Sequence, residues 1–221
     1  MALGTLSTRA AYVLTDVGFV EGALNDVGEA FRRWQPRYHA VPVEGTLDDL
    51  LNRLNPLNDR VIPRRIFIAA GSWSAYVDCL AGRNDSKGVC RVLSKLMRTR
   101  ALALDFSPEE PPCKDLPSQL PGVQMQIFDG KTARVGAPYL RVIAAVLDGD
   151  RWVFDQSGEI QDFEDVANYT KRRIRDRFTV EMLDRYCRVL GVRLFDHDFY
   201  GPEAILMESD ISHPDAMEYR V

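Results

Sequence analysis

"LRVIAAVLDGDRWVFDQSG", residues 140–158, is the stretch whose reading decides the fold. Two apolar runs, "VIAAVL" and "RWVF", flank Asp148-Gly149 and Asp150. A tight turn between neighbouring strands needs positive φ, which Asp and Gly tolerate. The stretch therefore reads as an antiparallel hairpin. Both faces of "VIAAVL" are apolar, so this strand is expected to be central and covered on both sides.

Working upstream, "VQMQIFDG" and "ALALDF" read as further strands, separated by residues 107–122, which carry five of the 12 prolines and must form a surface loop. In "RRIFIAAGSWSAYVDC" two strands divide at Gly71-Ser72, and Trp73, Ala75 and Val77 alternate with Ser74, Tyr76 and Asp78. Between them and "ALALDF", Val89, Val92, Leu93 and Leu96 share one helix face. The N-terminal part is mixed: "AAYVLTDVGF" reads as a short strand and "EGALNDVGEAFRRW" as a helix ending before Pro36. "RYHAVPVEG" is extended, and "TLDDLLNRL" is a helix with Thr46 as cap and Asp48 and Asp49 at its positive end.

Downstream of the hairpin, Phe163, Ala167, Thr170, Ile174 and Phe178 are spaced as one helix face, which predicts a helix over 163–178. Asp162, Glu164 and Asp165 lead it, and Lys171, Arg172, Arg173, Arg175 and Arg177 follow, the order a helix dipole prefers. On a helix, consecutive bases point in different directions, so this run is expected to be a solvated end rather than a phosphate track. Thr179 is placed to cap a last helix with Leu183, Tyr186, Cys187 and Leu190 on its inner face, closed by Gly191. "AILMES" is a last strand before a polar tail. The pattern predicts an α+β fold: a largely antiparallel central sheet with helices packed against it, and a mixed α/β N-terminal part. One domain of residues 1–221 is expected, with a possible subregion 1–60 and a proline-rich loop at 107–122.

The chain has 221 residues, 46% hydrophobic and 27% charged, with a formal net charge of −4. No apolar run approaches the ~20 residues a membrane span needs. The first residues lack a basic segment followed by an apolar stretch, so the cytoplasm is the expected compartment. Cys79, Cys90, Cys113 and Cys187 are unevenly spaced and form no C-x-x-C pair, and with His39, His197 and His213 they make no zinc pattern. They are expected to be reduced thiols.

Phosphate loops, dinucleotide turns, nucleophile elbows and H-E-x-x-H helices are all missing from the sequence. Asp148, Asp150 and Asp155 lack the 12-residue frame of a calcium loop, and turn chemistry explains them. No metal and no cofactor are expected. The one suggestive local cluster is Asp196-His197-Asp198, where flanking carboxylates could raise the histidine pKa for acid–base work. Charge is distributed unevenly. Asp148, Asp150, Asp155, Glu159, Asp162, Glu164 and Asp165 stand against Arg151 alone, and Asp196, Asp198, Glu203, Glu208, Asp210, Asp215 and Glu218 against Arg220 alone. An acidic face steers basic partners.

"SWSAYVDC…GRNDS", "LRVIAAVLDGDRWVFDQSGEIQDFE" and "YTKRRIRDRFTVEMLDRYCRVLGV" resemble a widespread group of uncharacterised bacterial proteins. That group is similar to this chain in a "DG-RW-F--SG---FE" segment and an "RDRFT-EML--Y---LG" segment, over roughly residues 62 to 200. The matching positions include Trp73, Asp78, Arg141, Asp148, Gly149, Trp152, Phe154, Gly158, Glu164, Tyr169, Arg177 and Phe178. The resemblance implies no catalytic role. In general look, a small protein without a catalytic motif, the chain is similar to immunity proteins of bacterial toxin systems.

The expected function is therefore a protein-interaction module, an immunity protein that occludes the active site of a basic toxin domain. Asp148, Asp150, Trp152, Asp155, Glu159, Asp196, Asp198 and Tyr200 are the candidate partner-binding residues, with Trp152 or Tyr200 as aromatic anchors where exposed. Membrane and nucleic acid are not expected partners. The competing expectation is a hydrolase or transferase with a site assembled around His197, a cysteine, or both.

Overall fold

Burial is nearly continuous along residues 64–78, broken by the exposed Gly71-Ser72 turn, and places these strands inside a sheet with two covered faces. The structure is a computed structural model that describes residues 8–82, 84–108, 115–117, 119–132 and 139–219. Residues 109–114 and 118 of the proline-rich loop, Cys113 among them, lie outside the described residues.

In chain order the elements are α1 (Thr8–Val13), β1 (Asp16–Glu21), α2 (Leu24–Trp34), β2 (His39–Glu44), α3 (Leu47–Asn52), β3 (Leu57–Asn58), β4 (Arg64–Ala70) and β5 (Trp73–Asp78). Then come α4 (Ser86–Met97), β6 (Arg100–Asp105), β7 (Gly122–Asp129), β8 (Arg141–Asp148), β9 (Arg151–Gly158), α5 (Val180–Val189), β10 (Glu203–Glu208) and β11 (Glu218–Tyr219). Nine strands form one antiparallel sheet in the order β2-β10-β4-β5-β1-β6-β7-β8-β9, and β3 pairs with β11 in a second, two-stranded one. The fold is thus α+β with a large antiparallel sheet.

Each face of the sheet has its own core. On one side Val20, Phe67, Tyr76, Ala101, Ala103 and Phe128 meet Val27 and Phe31 of α2 and Val89, Cys90 and Leu93 of α4. On the other, Phe19, Ile66, Ile68, Trp73, Leu102, Met125 and Ile143 meet α3, α5 and the segments around them. Thr46 caps α3 in a reciprocal box with Asp49: the Thr46 side chain accepts from Asp49 N, and Asp49 accepts from Thr46 N. Such a box satisfies two donors that the first helical turn leaves unpaired.

The hairpin forms as expected, with Asp148 opposite Arg151 and Gly149 at φ +65°. β8 is not central, however. It is next to the edge strand β9, and Val142 and Val146 on its α4-side face are only partly buried. The apolar pattern reported the strand and not its position. "AAYVLTDVGF" divides between α1 and β1. "AILMES" is an inner strand, β10, inserted between β2 and β4, and the polar tail adds β11.

The helix expected over 163–178 does not form. Two 3-10 turns, Val166–Thr170 and Ile174–Asp176, take its place, with Lys171 and Arg173 in extended conformations between them. Tertiary bonds override the periodicity. Glu164 is held by Arg141 of β8, from Nε at 2.8 Å and from Nη2 at 2.6 Å, with both side chains almost fully buried. Tyr169 Oη and Gln161 N also donate to Glu164, at 2.8 and 2.9 Å. Arg177 Nε donates to Lys171 O at 2.8 Å and its guanidinium lies over the Phe154 ring. Phe154 in turn packs on Tyr169. Bonds from several directions satisfy the buried pair, the condition under which a desolvated ion pair is tolerated. Arg141, Glu164, Tyr169 and Arg177, four of the positions that carry the resemblance, are thereby parts of the fold.

Candidate functional site

An open groove of about 800 Å³ lies between the β2–α3 turn and the chain entering β10. β2 and β10 pair with Glu44 opposite Glu203, which brings residues 44–49 beside residues 197–202. Gly45 N donates to Pro202 O at 3.1 Å and Gly201 N to Ala69 O at 2.7 Å, fixing the two walls to the sheet. Glu44, Asp48, Asp49, His197 and Asp198 line the groove, and among the described residues no lysine or arginine does.

The His197 wall is built by a 3-10 turn, His197–Phe199. Asp196 starts it by accepting from Asp198 N at 3.1 Å, and Arg193 Nη1 holds Asp196 at 2.8 Å. Phe199 and Tyr200 anchor the turn by packing on Phe19 of β1. Tyr200 is thus a buried support and not an exposed anchor, contrary to the sequence expectation. It is 6% exposed, and its hydroxyl donates to Leu194 O at 2.8 Å. An aromatic residue in an acidic segment follows the nearest apolar surface, here the core.

The candidate residues split into two groups. Asp148 and Asp150 are exposed at the β8–β9 turn, and Asp155 and Glu159 are exposed on and just after β9. Asp196, Asp198 and Tyr200 belong to the groove region beside β10. β9 is the last strand of the sheet and β10 the second from the other edge. Seven strand spacings of about 4.8 Å, roughly 30 Å, separate them. The two acidic segments do not make one face.

Trp152 sits in a different setting from the one expected. It is half-buried in an open groove of about 530 Å³ that it shares with Arg151, Arg173, Ile174 and Arg175. The 3-10 turns bring Arg173 and Arg175 to one wall, where a helix would have dispersed them. Two bases of the run, Arg173 and Arg175, therefore meet beside an indole; Lys171, Arg172, Arg173 and Arg175 are solvated as expected, but not as the end of a helix.

A buried polar row crosses the sheet beside the start of α4. Arg65 donates to Tyr38 Oη at 3.2 Å, Tyr76 Oη at 2.6 Å and Asp85 at 3.1 Å. Tyr76 Oη donates to Asp78, which also accepts from Leu80 N and Asp85 N. On β1, Asp16 lies opposite Asp105 of β6 and accepts from the Ser86 hydroxyl. Burial, then the Asp105 charge, pushes the Asp16 carboxyl up to about 8, and burial raises Asp78 to about 6 despite Arg65. Burial raises Asp105 as well. This row lines neither groove and ties the start of α4 to β4, β5 and β1.

Cys79, Cys90 and Cys187 are buried free thiols. Burial pushes Cys79 up to about 11 and the other two further. Thiolate nucleophiles need the opposite shift, and none of these three lines the groove with His197. Among the described residues, no three His, Cys, Asp or Glu groups are placed to hold a metal ion, and no helix is long and apolar enough to cross a membrane.

Sequence reasoning missed Glu44, Asp48 and Asp49 as site residues. Asp48 and Asp49 read locally as helix-start acids, and only the β2–β10 pairing brings them to His197. Compared with protein-family models, with curated proteins and with solved structures, the chain matches none.

Proposed function

We propose that this chain is a protein-interaction module that receives a basic segment of a partner protein in the groove beside His197. The observation that carries the reading is the lining: Glu44, Asp48, Asp49 and Asp198, with no lysine or arginine among the described lining residues. Carboxylates converging on a concave surface raise the local potential and favour lysine- or arginine-bearing partners. The breadth and openness of the groove suit a polypeptide segment better than an enclosed small molecule. In its most specific form, the module is a cytoplasmic immunity protein that covers the basic active-site surface of a toxin. Buried free thiols suit a reducing compartment.

Charge reversal tests it. The protein and its Asp48→Lys/Asp198→Lys variant are each used to capture partners from cells that make the chain, at low and high salt. The expected result is a stoichiometric basic protein held by the native chain, released by salt and lost with the variant, whose own activity falls when the native chain is added. Capture that charge reversal leaves unchanged refutes the groove as the binding surface.

A second reading is supported by one observation, the presence of His197 beside carboxylates in the same groove. A hydrolase or transferase would use His197 as acid or base. Turnover of any ester, phosphoester or glycosyl substrate that His197→Gln abolishes in a folded variant would establish it, and turnover indifferent to that substitution would remove it.

A further inference from the structure

The Trp152 groove lies at the opposite end of the sheet from the His197 groove, and nothing above assigns it a ligand. We propose that it binds single-stranded nucleic acid, with one base stacked on the Trp152 indole and the flanking phosphates on Arg151, Arg173 and Arg175.

Three features carry this. First, the groove joins a half-buried indole to three guanidinium groups, and its described lining contains no acid. An aromatic face with cationic groups around it is the arrangement by which proteins hold unpaired bases and their backbone. Second, the arginine wall is preorganised. Arg177 bonds Lys171 O across the loop and stacks over Phe154, and Tyr169 packs under Phe154. The Arg141–Glu164 pair holds the start of the same segment against β8. The loop backbone that carries the basic residues is thus ordered during folding rather than during binding. Third, the positive charge continues beyond the groove. Lys171 and Arg172 are exposed next to Arg173, so the track is longer than one nucleotide. The groove is also open, which admits an extended chain. Asp148 and Asp150, exposed at the β8–β9 turn, adjoin Arg151 and bound the track at that end.

Single strands are favoured over duplex. Stacking on an indole requires a base face, which a duplex hides in its own stack. An acidic peptide would satisfy the arginines and leave the indole unused.

The test uses the full chain with a fluorescein-labelled 12-mer of deoxythymidine, read by anisotropy between 25 and 150 mM salt, with tryptophan emission followed in parallel on the unlabelled oligomer. Duplex of the same length, polyglutamate and adenosine monophosphate are the comparison probes. The expected result is saturable oligomer binding with quenched emission and weaker duplex binding. The log–log salt slope should be about −2, because each phosphate held on a single strand contributes about −0.7. Trp152→Leu should weaken binding roughly 5- to 150-fold, the usual worth of one stacked base, while Trp152→Phe retains most of it. Arg173→Ala/Arg175→Ala should flatten the slope to about −0.7, the share of the one remaining arginine. Far-ultraviolet dichroism of each variant confirms that it is folded.

Four results would overturn the proposal: no oligomer binding at the lowest salt, binding that Trp152→Leu leaves intact, polyglutamate binding as tightly as the oligomer, or adenosine monophosphate displacing the oligomer at equal affinity. The last would identify a mononucleotide site. None of these outcomes bears on the groove at His197, whose variants lie at the other end of the sheet.

Discussion

Replacing Asp16 with asparagine should change how stability depends on pH, and by a calculable amount. Asp16 stands opposite Asp105 across β1 and β6, buried beside Ser86. Burial and the Asp105 charge hold its folded pKa at about 8, against an ordinary value of 3.8. Between pH 5 and 7 the folded chain therefore keeps a proton on Asp16 that the unfolded chain has released. A raised folded pKa gives stability that is complete below the unfolded pKa and lost as pH climbs toward the folded one. One extra proton in the folded state makes unfolding free energy fall by about 1.4 kcal/mol per pH unit. Over these two units Asp16 alone removes about 3 kcal/mol. Asp78, with a folded value of about 6, acts in the same direction and removes about 1 kcal/mol. Asparagine keeps an oxygen to accept from Ser86 and carries no proton to lose. Urea unfolding at pH 5, 6 and 7 should thus show the native protein losing about 3 kcal/mol more than Asp16→Asn, with equal denaturant slopes. Parallel pH profiles for the two proteins would show that Asp16 is ionised in the folded state and that the reasoning about the buried row is wrong.

Other substitutions probe the frame around the two grooves. Glu164→Ala leaves Arg141 buried without its carboxylate and should cost about 3–5 kcal/mol in urea unfolding, releasing the 160–178 segment to proteolysis. Gly158→Ala should be far worse than Gly149→Ala, although both positions have positive φ. A Cβ at Gly158 would fall 2.2 Å from Leu140 O, whereas at Gly149 it meets nothing within 4 Å. The expected losses are about 3 kcal/mol and about 1 kcal/mol respectively, measured by thermal and urea unfolding. Thr46→Ala removes one side of the α3 capping box and should cost about 1 kcal/mol.

How far the sequence discloses this fold depends on how local each cause is. The β8–β9 hairpin was legible because its turn chemistry sits in Asp148 and Gly149 themselves, and α3 because its cap and its acids lie within four residues. The segment 163–178 was not, because its partner is distant. Glu164 answers to Arg141, 23 residues upstream, and Tyr186 Oη accepts from Asp165 N, 21 residues away. Helical spacing of Phe163, Ala167, Thr170, Ile174 and Phe178 was real, and stronger tertiary bonds displaced it. The same limit governs the sites. Asp196-His197-Asp198 could be noticed locally, but its groove also needs Glu44 and Asp48, about 150 residues away in the chain, which only strand pairing supplies. Trp152 and the basic run were each conspicuous. Their meeting was hidden because a helix was assumed where two 3-10 turns occur.

The net charge of −4 conceals this arrangement. The carboxylate-lined groove lies toward the β2 edge of the sheet and the arginine-lined groove toward the β9 edge. With a Debye length of about 8 Å at physiological salt, neither groove feels the other across a separation of roughly 30 Å. Each can attract its own ligand as though it stood on a separate protein. Coupling between them would have to pass through the sheet. Its middle strands are the best-buried part of the molecule, with β5 buried throughout and β1 buried except at Glu21. A closely packed core resists small displacements. The two binding events should therefore be independent: saturating the oligonucleotide groove should leave the salt-sensitive capture of a basic partner unchanged, and charge reversal at Asp48 and Asp198 should leave oligonucleotide affinity unchanged. A measured coupling above about 1 kcal/mol between the two would mean that the sheet is more deformable than its burial implies.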